Sequence, residues 1–235
     1  MRLLERLFVA ALALCSAGAL ADPGDMKPFR ASYVVEWKGI SAASSTIELR
    51  ATGDGAFEYE TMNKPRGMFR MALPDSLSQT STFRIVDGHV VPQRFRGTDE
   101  KERPIDLRFD WDRKRVTGTA KGNPVDVELP DNAQDPMSLQ IASLRNLQER
   151  KLHDTVWLVD GDGKVKEYQL RLEGEKQIDT ALGRLDTLVY TSQRSGNDRV
   201  TRTWVAPALG YLPVKAERTR KGKLEFTLLI ESVEK

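Results

Sequence analysis

Apolar and polar residues alternate with a period of two along most of the chain. Every second residue from 105 to 111 is large and apolar, and the residues between them are charged. The same alternation recurs at 33–37, 47–49, 125–129, 168–172 and 224–230. It is typical of strands with one buried and one solvated face, which belong to antiparallel sheets.

Turn-forming residues separate these runs at short intervals. Asn, Asp and Gly tolerate the positive φ of tight hairpins, so we predict turns at 53–55, 87–88, 121–123, 160–163, 195–198 and 221–222. The turn at 160–163 superficially resembles a calcium loop. Arg171 occupies the twelfth position of that loop, where a bidentate Glu is required, so we reject this interpretation.

One segment has the pattern of an amphipathic helix. Asp135 is a suitable cap and Pro136 suits the first helical position. Apolar residues then follow at helical spacing, namely Met137, Ile141, Leu144 and Leu147. We predict a helix near 136–150 and expect Asp135 to stabilise the fold as its cap by about 1 kcal/mol.

The order of elements predicts a mainly β fold, with about nine strands before the helix and about five after it. We expect residues 22–235 to form a single domain, a strongly curved antiparallel sheet wrapped around the helix as an open half-barrel. That arrangement buries both the dry face of the sheet and the apolar stripe of the helix. The alternatives are a closed barrel with the helix at one mouth, and two small β-domains joined near the helix.

The N-terminal residues 1–21 have the pattern of a cleaved signal peptide. Arg2 and Arg6 precede an uncharged run, 7–20, which ends in a small-x-small site at Ala21. The run is shorter than the roughly 20 residues that a membrane-spanning helix needs. We predict cleavage after Ala21, export to the periplasm and no membrane span in the mature chain.

The only cysteine, Cys15, falls inside this segment. We interpret it as part of the signal peptide and not as an acylated lipoprotein cysteine, because Leu14 precedes it where a small residue is required. The mature chain then has no thiol for a disulfide or a thiolate metal site.

Charge and motif content favour no catalytic chemistry. The chain carries 36 basic and 34 acidic residues with the two signs interspersed, which argues against a nucleic-acid surface. His89 and His153 are isolated in sequence, and Asp110 with Asp112 fits a solvated strand face. The sequence contains no nucleophile elbow, zinc-type His-Glu pair or phosphate loop. We therefore predict a non-enzymatic protein without a metal or cofactor.

Two features suit the binding of an apolar ligand. Segment 64–74 sets apolar side chains between Pro and Gly breakers, which suits a flap over a cavity; an edge strand is the alternative. The chain also has four tryptophans, for which core filling is the alternative to ligand contact. The candidate ligand-binding residues are Trp37, Met68, Phe69, Met71, Trp111 and Trp204.

Short motifs spread over the chain resemble a known family. They are Phe29-x-x-x-Tyr33 with Gly39, Ser81-x-Phe83, Pro92-x-x-Phe95, Phe109-Asp110-Trp111, Asp135-x-x-Ser138, Gly183-x-Leu185, and Thr203-Trp204-Val205-Ala206-Pro207 followed by Tyr211-Leu212-Pro213-Val214. The chain resembles the uncharacterised exported bacterial proteins of domain-of-unknown-function family 3108. It departs from the pattern at Ala42-Ala43, where a second glycine is common.

The resemblance implies an envelope location and a β-rich fold similar to the periplasmic lipoprotein carriers. It supplies no catalytic residues and no substrate. We predict a periplasmic protein that binds or carries a lipid or a lipoprotein acyl chain between sheet and helix. The alternatives are a structural or interaction module with an envelope-protein partner and, third, a hydrolase of envelope polymers.

Overall fold

The computed structural model describes residues 26–71, 76–99 and 101–235. The predicted signal peptide and Cys15 lie outside these ranges, as does the part of the predicted flap at 72–75. Within the described residues the chain forms fourteen strands and one α-helix.

Eight strands precede the helix: β1 (Phe29–Trp37), β2 (Ile40–Ala51), β3 (Phe57–Pro65), β4 (Leu77–Val86), β5 (His89–Thr98), β6 (Pro104–Asp110), β7 (Arg115–Ala120) and β8 (Asn123–Glu128). The helix α1 spans Ser138–Gln148. Six strands follow it: β9 (Thr155–Val159), β10 (Val165–Thr180), β11 (Gly183–Arg194), β12 (Arg199–Ala206), β13 (Leu212–Arg220) and β14 (Lys223–Glu234). Short 3₁₀ turns lie at Gly67–Met71 and Pro207–Leu209.

All fourteen strands belong to one antiparallel sheet. The strands before the helix pair in chain order, as do those after it, and β1 also pairs with β14, which joins these two sets of strands. The sheet ends at β8 and β9, on either side of the helix in sequence, so it is open. The predicted open sheet around one helix is confirmed, as are all six hairpin turns. The closed barrel is wrong, and the strands divide as eight and six around the helix.

The gap between β8 and β9 is bridged by the chain that leads into the helix. Gln134 forms a parallel bridge with Leu158 of β9, and its side-chain amide donates to the carbonyl oxygen of Val90 at 2.9 Å. The β9–β10 turn also packs closely against β8. A Cβ atom on Gly163 of this turn would lie 2.4 Å from a methyl carbon of Val125 on β8. Only glycine fits there, and the two sheet edges are thereby held close together.

Asp135 starts the helix and also anchors it to the sheet. One carboxylate oxygen accepts the backbone N–H groups of Met137 and Ser138, both at 2.8 Å, and the Ser138 hydroxyl accepts the Asp135 N–H at 2.9 Å. This reciprocal pair is a capping box with serine in the third position. The other carboxylate oxygen accepts the Ser81 hydroxyl of β4 at 2.5 Å. Asp135 is completely buried, and that burial raises the pKa of its carboxyl group. The predicted helix and cap are confirmed.

Strands β4–β8, which we call the filled half, present large side chains to the helix. Phe83, Phe95 and Leu107 are fully buried there. The facing stripe of the helix contains Met137, Ile141, Leu144 and Leu147, as predicted. At the far end of the helix, Arg145 donates to the carbonyl oxygen of Gly88 at 3.1 Å, which holds the helix against the β4–β5 turn.

The motifs that carry the family resemblance contact each other in pairs. Three side-chain hydrogen bonds join them: Tyr33 to the Pro213 carbonyl at 3.0 Å, Trp111 to the Pro92 carbonyl at 2.7 Å, and Ser81 to Asp135. Each bond links segments that are distant in sequence. These motifs therefore have sufficient structural roles in holding the sheet and helix together.

Candidate ligand cavity

A cavity of about 840 Å³ lies between α1 and the inner face of β9–β14, together with the adjoining ends of β1–β3. We call β9–β14 the hollow half. This volume falls within the range of about 300–1,000 Å³ that is typical of small-molecule sites. The cavity is the space that the predicted carrier fold requires between sheet and helix.

Strand register arranges the cavity wall in two rows. The mouth row lies next to the hairpin turns and consists of Leu170, Ser192, Thr201, Arg218, Phe226 and Trp37, which are successive cross-strand partners from β10 to β1. The deep row lies two residues away from the mouth row on β11–β14 and β1 and extends to β2; it consists of Tyr190, Thr203, Ala216, Leu228, Val35 and Ala43. All twelve side chains line the cavity.

The helix separates the cavity from the filled half. Its residues Leu139, Gln140 and Ser143 line the cavity, whereas its apolar stripe packs in the buried core and does not line it. The hydroxyl groups of Ser143 on the helix and Thr203 on β12 are placed to hydrogen-bond with Tyr190 of the deep row. Burial raises the pKa of the Tyr190 hydroxyl, and those hydrogen bonds partly oppose the shift. The inner wall is thus tied to the helix across the cavity.

An exposed apolar rim surrounds the mouth. The rings of Trp37 and Phe69 meet edge to face with centroids 6.0 Å apart, and both line the cavity. Trp37 is 45% exposed and its strand partner Ile40 is 53% exposed. Met68 and Met71, on the same 3₁₀ turn as Phe69, are 73% and 90% exposed. This combination of aromatic and flexible side chains is typical of a site entrance.

Of the six candidate residues, Trp37 and Phe69 meet at the cavity. Met68 and Met71 lie beside its mouth and do not line it. The predicted alternative for their segment, an edge strand, is wrong, because these residues form a 3₁₀ turn between β3 and β4. Binding of a ligand by the segment stays a prediction.

The other two candidates lie elsewhere. Trp111 stacks on Phe109 with ring centroids 6.5 Å apart and donates to a backbone carbonyl, so it packs against the core. Trp204 is buried on the face of β12 opposite to Thr203, and the Lys215 ammonium lies 4.8 Å from its ring centroid. Neither side chain lines the cavity.

The sequence interpretation missed the charged residue of the mouth row. Arg218 belongs to the basic run at 218–221, which suggests ordinary turn charge. In the structure its Nε donates to Thr201 Oγ1 at 3.2 Å, and its guanidinium lies 5.0 Å from the Phe226 ring centroid. Desolvation by the surrounding cavity wall lowers the pKa of Arg218. The signal that could have identified it is the alternation of Ala216 with Arg218 on one strand face.

The ammonium group of Lys166 binds the carboxylates of the 160–163 turn. Lys166 Nζ lies 2.7 Å from an Asp160 carboxylate oxygen and 2.8 Å from one of Asp162. Within residues 26–71, 76–99 and 101–235, no group of three or more His, Cys, Asp and Glu side chains is placed to hold a metal ion.

Among the helices of these same residues, none has the length and apolarity that crossing a membrane requires.

Comparison with known proteins supports the fold. A crystal structure of a β-barrel-like protein of domain of unknown function DUF1849 from Brucella abortus matches with a TM-score of 0.56 at 8% identity, covering 88% of this chain and 97% of that one. MucB in complex with MucA(peri) is more distant, with a TM-score of 0.38 at 16% identity, covering 92% of this chain and 52% of that one. No curated protein matches the sequence.

The family is established by the sequence itself. The family model described as "Protein of unknown function (DUF3108)" matches residues 32–228, which include nearly all of the sheet and the whole helix. The chain therefore belongs to this family, as the short motifs had indicated.

Proposed function

We propose that this protein binds and carries a lipid or another apolar, chain-like ligand in the cavity between α1 and the hollow half. The observation that carries the proposal is the cavity itself, about 840 Å³ in volume and bordered by an exposed apolar rim. In the filled half, the same kind of sheet is packed with aromatic side chains. A void of this size beside a well-packed core is a common feature of binding proteins.

Binding in such a site is driven by the burial of apolar surface. Each methylene removed from water contributes about 0.8 kcal/mol, which is about a fourfold gain in affinity. Affinity should therefore rise steeply with chain length until the cavity is full. Val35, Leu139 and Leu228 supply apolar contact, while small side chains such as Ser192 and Thr203 leave space for the ligand.

A cavity-filling variant tests the proposal. Ser192 and Thr201 are cross-strand partners in the mouth row, so Ser192→Trp with Thr201→Trp places two indoles inside. The matched control is Gln193→Trp with Val200→Trp, the next partner pair along, on the opposite strand faces. Binding of the neutral fluorescent probe N-phenylnaphthylamine, and its displacement by hexadecanol, is measured for wild type and both variants.

We expect the inward pair to weaken probe binding at least about tenfold and the outward pair to leave it unchanged. Urea unfolding shows whether each variant is folded. Equal binding by the inward pair and wild type would place the probe outside the cavity. Absence of binding to the wild-type protein would contradict the proposed function.

We also propose that the protein acts in the periplasm after cleavage behind Ala21. The proposal rests on the small-x-small site and on Leu14, which is unsuited to lipoprotein processing. The intact mass of the exported protein tests it. A mature chain starting at Asp22 is expected, and an acylated Cys15 would contradict the proposal.

The second candidate function is an interaction module for an envelope protein. The exposed apolar rim supports it, because Ile40, Met68 and Met71 present apolar surface without lining the cavity. Polar substitution of these three residues should leave binding of the probe unchanged. Loss of a protein partner with unchanged probe binding would favour this second candidate.

A further inference from the structure

We propose that the ligand is an amphiphile with an anionic headgroup, a carboxylate or a phosphate, which Arg218 binds in the mouth row. This inference rests on the proposed function and specifies the chemistry of the ligand. It is drawn from the position of Arg218, from its interactions with other residues, and from the contrast between the two rows of the cavity wall.

Arg218 is fixed in place by neutral groups. Its cross-strand partners are Thr201 and Phe226, and it contacts both: Nε donates to the Thr201 hydroxyl at 3.2 Å, and the guanidinium lies over the Phe226 ring. A guanidinium has five N–H donors in a rigid fork that matches carboxylate and phosphate oxygens. The contact with Thr201 uses one of them.

The carboxylates nearest to Arg218 bind other cations. Glu225 accepts a hydrogen bond from Arg199 at 3.0 Å, and Asp160 accepts one from Lys166 at 2.7 Å. Within the described part of the chain, Arg218 forms no ion pair with a carboxylate. By contrast, Arg202, which neighbours Thr201 on the opposite strand face, forms two hydrogen bonds of 2.7 and 2.8 Å with Glu173.

The surroundings of Arg218 favour an added anion. Arg218 is an exposed residue, so the desolvation by the cavity wall that lowers its pKa is only partial. A cation that is partly desolvated gains more from a charge-assisted hydrogen bond than one in bulk water. Arg218 nevertheless remains accessible from the cavity, so a ligand in the cavity reaches it directly.

The two rows also give the ligand an orientation. The mouth row contains Arg218, whereas the deep row contains no charged residue and includes Val35, Ala216 and Leu228. A headgroup bound at the mouth row therefore places the alkyl chain of the ligand along the deep row and against Leu139 of the helix. Asp160 also lines the cavity, but its two oxygens accept from Lys166 and from the Gly161 N–H, so its charge is balanced locally.

The affinities of the protein for three ligands with the same sixteen-carbon alkyl chain test the inference. Hexadecanoic acid, hexadecyl phosphate and neutral hexadecanol are used to displace N-phenylnaphthylamine at neutral pH. The variants are Arg218→Met, which keeps the length and apolar stem, and Arg218→Lys, which keeps the charge. Arg202→Met is the control, because it removes an arginine from the outer face of the sheet.

Wild type and Arg202→Met should bind at least one of the two anions about tenfold or more tightly than the alcohol. Arg218→Met should abolish that preference by weakening the anion alone, and Arg218→Lys should restore part of it. The better anion identifies the headgroup as carboxylate or phosphate. Equal binding of acid, phosphate and alcohol by wild type would overturn the assignment while leaving the cavity function intact. Failure of all three to bind would instead contradict the proposed function.

Discussion

The two halves of the sheet share one backbone plan and differ in what they enclose. Both are antiparallel meanders, and strands β1–β3 connect them through the β3–β4 and β1–β14 pairs. In the filled half the inner positions hold Phe83, Phe95 and Leu107, all completely buried. In the hollow half, small residues such as Ser192 and Ala216 hold the corresponding inward positions. These small side chains leave part of the cavity volume open.

The helix contributes differently to the two halves. Its apolar stripe packs in the buried core and the helix contacts β4 and β5 of the filled half, while Leu139 and Ser143 line the cavity. Asp135 fixes this orientation because it bonds both the first turn of the helix and Ser81 of the filled half. Asp135 thereby connects the helix, which lines the cavity, to the filled half.

The largest effect is expected from a matched pair of phenylalanine truncations. Phe83→Ala in the filled half should lower the free energy of unfolding by about 3–5 kcal/mol, because it leaves a cavity in a closed core. Phe226→Ala in the hollow half should cost less than about 1.5 kcal/mol, since its ring already faces an open space. Urea unfolding measures both. Similar costs at the two sites would contradict the division into a filled and a hollow half.

Loss of the buried carboxylate at the junction should have the next largest effect. Asp135→Ala should cost about 2–4 kcal/mol, more than the sequence-based value for a cap, because two buried N–H groups and the Ser81 hydroxyl lose their acceptor. Asp135→Asn keeps an acceptor for the helix and should cost less than about 1 kcal/mol. Binding of the neutral probe by folded Asp135→Asn should match wild type. An Asn variant that is stable but does not bind would place Asp135 in the site.

The same carboxyl group predicts a pH dependence. Because burial raises its pKa, the folded state holds the Asp135 proton more tightly than the unfolded chain does. This contribution to stability is complete below the unfolded pKa of about 3.9 and is lost as pH rises through the folded pKa. The stability of wild type relative to Asp135→Asn should therefore fall as pH rises from the acid range. Urea unfolding of both proteins across pH measures the difference, and a constant difference would contradict the raised pKa.

Local signals were sufficient to predict most of the fold. Strand alternation, turn residues and the cap at Asp135 each act over a few residues, and they gave the strands, the hairpins and the helix. The family motifs agreed because their side chains bond the elements to one another, as Tyr33 does with Pro213. An open sheet followed because the helix interrupts the meander between β8 and β9.

The cavity wall could not be predicted in the same way, because it depends on pairing between the two ends of the chain. The mouth row crosses from β14 to β1, which places Trp37 beside Phe226. Trp204 was misassigned because it lies in an unbroken buried run, 203–206, where alternation does not show which side faces inward. Arg218 resembled turn charge for a related reason: a bulge follows it before the hairpin.

The smallest effect on stability is expected at the rim of the cavity, between the two halves. Phe69 contacts Trp37 and lines the cavity, whereas Met71 on the same 3₁₀ turn is 90% exposed. Phe69→Ser should cost less than about 1 kcal/mol of stability, since the segment contributes no fully buried side chain. It should weaken binding of the neutral probe several-fold. Met71→Ser should change neither quantity.

If the segment is a flap, the backbone amides of residues 67–71 should exchange rapidly in the free protein, and their exchange should slow when hexadecanol is bound. A loss of about 2–4 kcal/mol in Phe69→Ser would make it a core residue. Slow exchange that no ligand alters would leave the turn a fixed part of the wall, with Trp37 as the remaining predicted ligand contact at the mouth.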